Sequence, residues 1–218
     1  MMRLILVAGG TVERDVLLRV IRAESPEDLR IMACDGGVAA VEAERLRPDY
    51  VVGDFDSVSG EEKLRIRKTY PAQRILDPVK DDTDLEAAIR WAIELRPASV
   101  ILLGATGTRL DHTLTNLRML VLFRKAGIPA EILDSHNRIR VIDRPVKLRK
   151  KEVYGTYISL LPVTETVEGI DLTGFRYPLE QGTIPMIGSL GVSNELKEDE
   201  GEIRFSKGML YLMETKDR

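Results

Sequence analysis

A mainly parallel α/β domain followed by a small antiparallel β domain is the architecture this sequence predicts, on three observations. Short apolar runs without alternation recur between helical patterns in the first two-thirds of the chain, as in strands covered on both faces. After about Asn137 no helical pattern remains, and several segments alternate polar and apolar residues. With 218 residues the chain suffices for one large domain or two small ones, each with a buried core.

In chain order, Leu4 to Ala8, Leu29 to Cys34, Tyr50 to Val52, Arg74 to Leu76 and Val100 to Leu103 read as strands. Leu85, Ala88, Ile89, Ala92 and Leu95 recur at helical spacing within Thr83 to Arg96. Leu114, Leu117, Val121 and Leu122 do the same within Asp111 to Lys125, where Gly127 and Pro129 stop the helix. Ala130 to Leu133 adds a strand, and the alternation implies a mainly parallel sheet with right-handed crossovers. Arg138 to Ile142, Val153 to Leu161, Glu202 to Phe205 and Met209 to Met213 read as strands of the second domain. Ser206-Lys207-Gly208 reads as a hairpin loop between the last two. The domains are placed at residues 1–140 and 141–218, with the junction near 136 to 146.

A net charge of -3 argues against attachment to nucleic acid through excess positive charge. The basic runs Arg138 to Arg140 and Lys147 to Lys151 read as solvated faces and edges. One cysteine, Cys34, excludes an intramolecular disulfide and a Cys-rich zinc site, and its apolar setting makes it a small buried hydrophobe. Leu4 to Ala8 is too short for the apolar region of a signal peptide, and no stretch has the length of a membrane span. The expectation is a cytoplasmic protein with no membrane partner.

Several aspartates sit beside glycine where a predicted strand ends: Asp35-Gly36-Gly37, Gly53-Asp54-Phe55-Asp56-Ser57, and Gly104 to Asp111. Ligands of open α/β sheets bind outside the carboxyl ends of the strands, so these segments are expected to meet there. In an extended segment Asp54 and Asp56 would share a side with Phe55 opposite, and two such carboxylates call for a cation. Hard oxygen ligands of this kind suit Mg²⁺, which takes one or two carboxylates plus phosphate and water. Aspartate and glycine also mark ordinary loops and caps. Thr83 and Glu86 fit a capping box with Asp84 at the positive helix end, and Asp111 could cap the next helix. There is no Gly-x-x-x-x-Gly-Lys-Ser/Thr loop and no Gly-x-Gly-x-x-Gly after the first strand; Gly9-Gly10 alone is weak. His112 and His136 lack metal-ligand spacing, and Trp91 reads as a packing residue.

Together these segments resemble the motifs of thiamine pyrophosphokinases. The resemblance rests on Asp35-Gly36-Gly37, Pro48 to Ser57, Lys80-Asp81-Asp82-Thr83-Asp84-Leu85-Glu86 and Gly107 to His112, in the family's order. It continues through Ser159 to Pro162, Gly174 to Leu179, Ser193-Asn194-Glu195 and Gly208-Met209-Leu210. It implies a Rossmann-like α/β domain with a β-sandwich-like domain, a homodimer, and transfer of the pyrophosphoryl group of ATP to the hydroxyethyl oxygen of thiamine, releasing AMP. Asp35, Asp54, Asp56, Asp84 and Asp111 would form the acidic centre that holds Mg²⁺ and positions ATP. Arg109 would contact phosphate, and Gly36, Lys80 and Asp81 would lie by the nucleotide. Ser193 and Asn194 would lie beside thiamine, and Asp56 or Asp84 would help remove the hydroxyl proton. Two departures stand out: Thr106-Gly107-Thr108-Arg109 replaces a commoner Gly-Gly-x-Arg, and Leu196 stands where an aromatic often covers the thiamine ring. Two alternatives remain: a pyrophosphokinase acting on a pterin alcohol, and a non-catalytic thiamine or nucleotide sensor.

Overall fold

The non-alternating apolar runs become the buried strands of a parallel sheet. The structure, a computed structural model, describes residues 1–56, 58–77 and 81–217. It divides into two compact units, Met1–Ser135 and His136–Arg218.

In the first unit the chain runs β1 (Arg3–Val7), α1 (Arg14–Arg22), β2 (Leu29–Cys34), α2 (Gly37–Ala43), β3 (Tyr50–Gly53), α3 (Gly60–Thr69), β4 (Gln73–Ile75), α4 (Asp84–Glu94), β5 (Ser99–Leu103), α5 (Leu110–Lys125) and β6 (Ala130–Leu133). The six strands pair in parallel in the order β4-β3-β2-β1-β5-β6. Parallel neighbours need crossovers, and the helices supply them. Leu4 to Val7 and Ile31 to Cys34 are all buried, which is why those runs lack polar alternation. The order grows outward from β1 to β4, and the chain then returns through α4 to place β5 on the other flank of β1. The direction of winding therefore reverses between β1 and β5, where open α/β sheets leave a crevice.

Helix α4 starts where its cap predicts: the Thr83 hydroxyl accepts from the Glu86 N–H at 3.2 Å. The box is half closed, because the Glu86 carboxylate takes Arg90 at 2.6 Å instead. Leu85, Ala88, Ile89 and Ala92 face inward as their spacing predicts. Helix α5 differs. Its buried face is Asn116, Leu120 and Phe123, while Leu114 of the expected stripe is 56% exposed. Leucine, valine and phenylalanine occur on nearly every side of this helix's second half, so spacing alone does not select the inward face. Helices α1 to α3 carried weak signals: α1 has no side-chain cap, α2 has only seven residues, and α3 buries only Ile66.

The second unit is all β: β7 (Asn137–Ile142), β8 (Val146–Arg149), β9 (Tyr157–Pro162), β10 (Thr166–Thr173), β11 (Leu179–Pro185), β12 (Glu200–Arg204) and β13 (Leu210–Thr215). β13 pairs antiparallel with both β7 and β9. The order β11-β10-β12-β8 forms a second antiparallel sheet. Ile142, Ile158, Leu160, Leu210 and Leu212 from the first set share one core with Leu148, Val167, Ile170, Ile184 and Ile203 from the second, as in a β-sandwich.

Three expectations need correction here. Ser206-Lys207-Gly208 is no hairpin loop, since β12 and β13 belong to different sheets; Ser206 and Lys207 instead exchange backbone bonds with Glu168 of β10 at 3.0 Å. The strand expected from Val153 begins at Tyr157. Arg138 and Arg140 are not a solvated edge. Both pair with Glu214, whose side chain is fully buried and also accepts from the Tyr154 N–H at 2.8 Å. A buried carboxylate must be matched by opposite charge and donors, and two arginines on the neighbouring strand provide them. Among the described residues no helix is long and apolar enough to cross a membrane.

Candidate active site

The loops after β1 and β5 are bonded to each other. Gly10 N–H donates to the Gly104 carbonyl at 2.9 Å and Thr11 N–H to the Thr106 carbonyl at 3.3 Å. Such closeness requires glycine: Gly104 has φ +65°, and a Cβ there would stand 2.5 Å from the Ala8 carbonyl oxygen. Together with the end of β2 and the start of α4 these loops line a cavity of about 670 Å³ at the reversal point. Asp35, Asp84 and Arg109 line it, as do Gly9, Gly10 and Asn116.

The β5–α5 loop is built to present donors. Its carbonyls are turned away: Gly104 and Thr106 accept from Gly10 and Thr11, and the buried Asn116 amide donates to Ala105 at 2.8 Å. Among the described residues, the N–H groups of Thr106, Gly107, Thr108 and Arg109 meet no protein acceptor. They stand at the N-terminus of the 16-residue α5, an arrangement that favours anions. A Cβ on Gly107 would have no neighbour nearer than 3.7 Å. Its missing side chain leaves room for a ligand rather than for protein.

Carboxylates share this cavity through Asp35 and Asp84. Asp35 has its carboxyl held above the usual range, first by burial, then by Asp84, with Asp54 and Asp56 adding repulsion against a hydrogen bond from the Gly36 backbone. Its Oδ1 is buried and has no hydrogen-bond partner. Asp54 is buried and Asp56 exposed. The extended alternation expected for Asp54 to Asp56 does not occur: β3 ends at Gly53, and Phe55 adopts φ +54° with its ring in the core. A turn brings Asp56 to Asp54, through an Asp56 N–H to Asp54 Oδ1 bond of 3.0 Å. Lys63 on α3 secures this turn by donating to the Asp54 carbonyl.

Among the described residues, six other than glycine have positive φ. Arg45 and Arg96 follow the C-caps of α2 and α4, where a left-handed residue closes the last turn, and Gln181 lies in an irregular stretch of β11. The remaining three are Asp35, Phe55 and Ser193, all within the motifs singled out in the sequence. Left-handed conformations at non-glycine residues cost energy and collect at functional sites.

Asp35, Asp54, Asp56 and Asp84 are thus gathered, and Asp111 stands apart. It pairs with Arg109 at 2.7 and 3.3 Å and is two-thirds exposed. The Arg109 hydrogen bond, aided by the His112 N–H, lowers its carboxyl to about 2. Gly36 lies in the Asp35 loop facing Gly9. Asp81 is exposed and outside the cavity, which Asp82 and Thr83 line in its place; Lys80 lies outside the described residues. No set of three or more His, Cys, Asp or Glu side chains among the described residues is close enough to hold a metal ion by itself.

In the second unit the Asn194 side chain is buried and clamps both sides of residue 177: its Oδ1 accepts from the Tyr177 N–H at 3.1 Å, and its Nδ2 donates to the Tyr177 carbonyl at 2.8 Å. Ser193 is exposed, with its N–H on the Ser159 hydroxyl at 2.9 Å. Leu196 is a core residue bridged to Phe175, so it covers no ligand, and the exposed aromatic beside this motif is Tyr177. Sequence reasoning assigned no role to Lys63 or Asn116, and Gly9-Gly10, which line the cavity, read only as weak. Only Gly9-Gly10 at a strand end gave a signal.

Fold and site define an open α/β sheet whose anion-favouring loop shares a cavity with carboxylates, joined in one chain to a β-sandwich. Residues 24–132 match the model of the thiamin pyrophosphokinase catalytic domain, and residues 145–210 that of the thiamin pyrophosphokinase vitamin B1 binding domain. The thiamine pyrophosphokinase of Bacillus subtilis is 36% identical over 183 residues, covering 84% of this chain and 82% of that one. Its crystal structure superposes with a TM-score of 0.86 at 32% identity, covering 99% and 100% of the two chains. The structure of the Geobacillus thermodenitrificans protein gives 0.84 at 32%, covering 99% and 98%. The chain belongs to the thiamin pyrophosphokinase family.

Proposed function

We propose that this chain is a thiamine diphosphokinase that moves the pyrophosphoryl group of ATP to the hydroxyethyl oxygen of thiamine, yielding thiamine diphosphate and AMP with Mg²⁺. The observation that carries this reading is the lining of one cavity by open N–H groups, Arg109, Asp35 and Asp84.

The carboxylates fit a cation. Asp35 bears a buried oxygen without a partner and the repulsion of three neighbouring carboxylates. Asp35, Asp54, Asp56 and Asp84 would hold Mg²⁺ in ones and twos, with phosphate oxygens completing the shell; Asp111 belongs to this set only if it leaves Arg109. Once bound, the ion neutralises charge on the transferred group. The rest falls to the chain. The N–H groups of residues 106–109 and the Arg109 guanidinium hold phosphate oxygens. Asp35 and Lys80 position the nucleotide, and Asp56 or Asp84 accepts the proton of the attacking hydroxyl. Ser193 and Asn194 border the thiamine site, with Tyr177 as its aromatic wall. The exposed Met186, Ile187, Leu190 and Val192 beside Ser193 suit burial by a second copy, in keeping with a homodimer. The α/β unit is then the ATP and Mg²⁺ domain, and the β unit carries thiamine and the dimer contact.

The test is AMP release from ATP, with thiamine diphosphate identified by mass. Both products are expected only when thiamine and Mg²⁺ are present. AMP formed with pterin alcohols instead, or no AMP at all, refutes the reading. Asp35→Asn separates the charge from the shape of that residue. We expect the metal-free protein to gain up to about 1 kcal/mol by losing like-charge repulsion, while turnover at saturating Mg²⁺ falls about a hundredfold. Thermal melts in chelator alongside turnover read both, and a variant that loses stability together with activity contradicts the repulsion argument.

A further inference from the structure

The two residues that follow β6 hold both glycine loops of the cavity. The Thr106 hydroxyl, on the β5–α5 loop, donates to Asp134 Oδ2 at 2.8 Å. The next residue, Ser135, donates through its hydroxyl to Glu13 Oε1 at 2.8 Å, at the end of the β1–α1 loop. Asp134 is buried at 7% exposure, directly after a strand that pairs with β5 and is rigid at its root: Ile132 is fully buried and Leu133 nearly so. No residue of this pair belongs to the motifs that mark the family in the sequence.

We propose that Asp134 and Ser135 form a clasp that positions the β5–α5 loop for phosphate, with Asp134 acting through Thr106. The proposal rests on the functional reading above. An open loop of donors binds an anion well only if it is held beforehand; otherwise the ligand must supply the ordering. The hydroxyl–carboxylate bond is of the charge-assisted kind, stronger than a neutral one. It falls at Thr106, the first of the four residues whose N–H groups are open. It also gives a use to the hydroxyl that departs from the Gly-Gly-x-Arg pattern: a glycine there could not be tied to Asp134. The Ser135 bond to Glu13 holds the opposing loop from the same dipeptide, so the separation of the two loops is set from one rigid strand.

The clasp predicts a selective defect. Thr106→Val keeps the shape and removes the bond, so KM for ATP should rise about tenfold while KM for thiamine stays within about twofold. Thr106→Ser, which restores the hydroxyl, should return KM for ATP to the wild-type value. Asp134→Ala should match Thr106→Val, and the double variant should be no worse than either single one. A direct titration with a non-hydrolysable ATP analogue should weaken in parallel. Unchanged KM for ATP in Thr106→Val, failure of serine to rescue, or additive single effects would overturn the clasp. Wild-type protein that neither turns over ATP nor binds the analogue would instead overturn the functional reading on which the clasp rests.

Discussion

Asp54→Ala is expected to lower kcat about a thousandfold, a loss of about 4 kcal/mol in transition-state stabilisation. Asp54 is the most buried of the four gathered carboxylates, its backbone carbonyl is held by Lys63, and its own Oδ1 already receives the Asp56 N–H. A carboxylate so fixed can meet a charged ligand without first being ordered, which is where positioning contributes most to phosphoryl transfer. Alanine also removes the acceptor that shapes the turn, so Asp54→Asn is the informative partner. Asparagine keeps an acceptor for Asp56 and removes the charge. Equal loss of turnover in both, with melting temperatures close to wild type, assigns the effect to charge. Recovery of turnover in the asparagine variant would assign it to the turn. Near wild-type kcat in both at saturating Mg²⁺ would remove Asp54 from the acidic centre.

Arg109→Ala should lower kcat/KM for ATP several hundredfold, or about 3 to 4 kcal/mol, with Arg109→Lys recovering only part of it. In the structure Arg109 makes two bonds to Asp111, and both side chains are about two-thirds exposed. An exposed pair of this kind contributes little to stability, so the guanidinium can exchange Asp111 for phosphate at small cost. Until then Asp111 holds the fork beside the open N–H groups. Lysine keeps the charge but lacks the planar pair of donors, which is why rescue should be partial. Unchanged kcat and unchanged KM for ATP in the alanine variant would show that Arg109 faces solvent throughout the cycle.

Much of the fold was legible because burial leaves its mark on composition. Strands covered on both faces must be apolar throughout, and Leu4 to Val7 and Ile31 to Cys34 are. Thr83 was legible as a cap because its hydroxyl can satisfy a helix N–H locally. Where the deciding partner was distant, the reading failed. The inward face of α5 depends on what it packs against, and the sequence offers apolar residues on more than one side. Arg138 and Arg140 looked like a solvated run because Glu214, which draws them in, lies more than 70 residues away. The pairing of β12 and β13 into separate sheets likewise depends on β10 and β7, not on the five residues between them.

The sequence by itself determined the strands of the first unit, helices α4 and α5, the all-β character of the second unit and the family motifs, because these are written in local spacing and in side-chain chemistry. Helices α1 to α3 and strands β8, β10 and β11 were not legible. The sequence also located the aspartates at strand ends, since a strand's boundary is a change of local composition. Only the tertiary structure decided which of those aspartates meet. Asp35, Asp54, Asp56 and Asp84 are brought together by parallel strand order and by the left-handed turn at Phe55, while Asp111 is taken by Arg109. The clasp through Asp134 was invisible for the same reason: its partners, Thr106 and Glu13, come from loops joined to β5 and β1, and proximity across a sheet is set by strand order, not by distance along the chain.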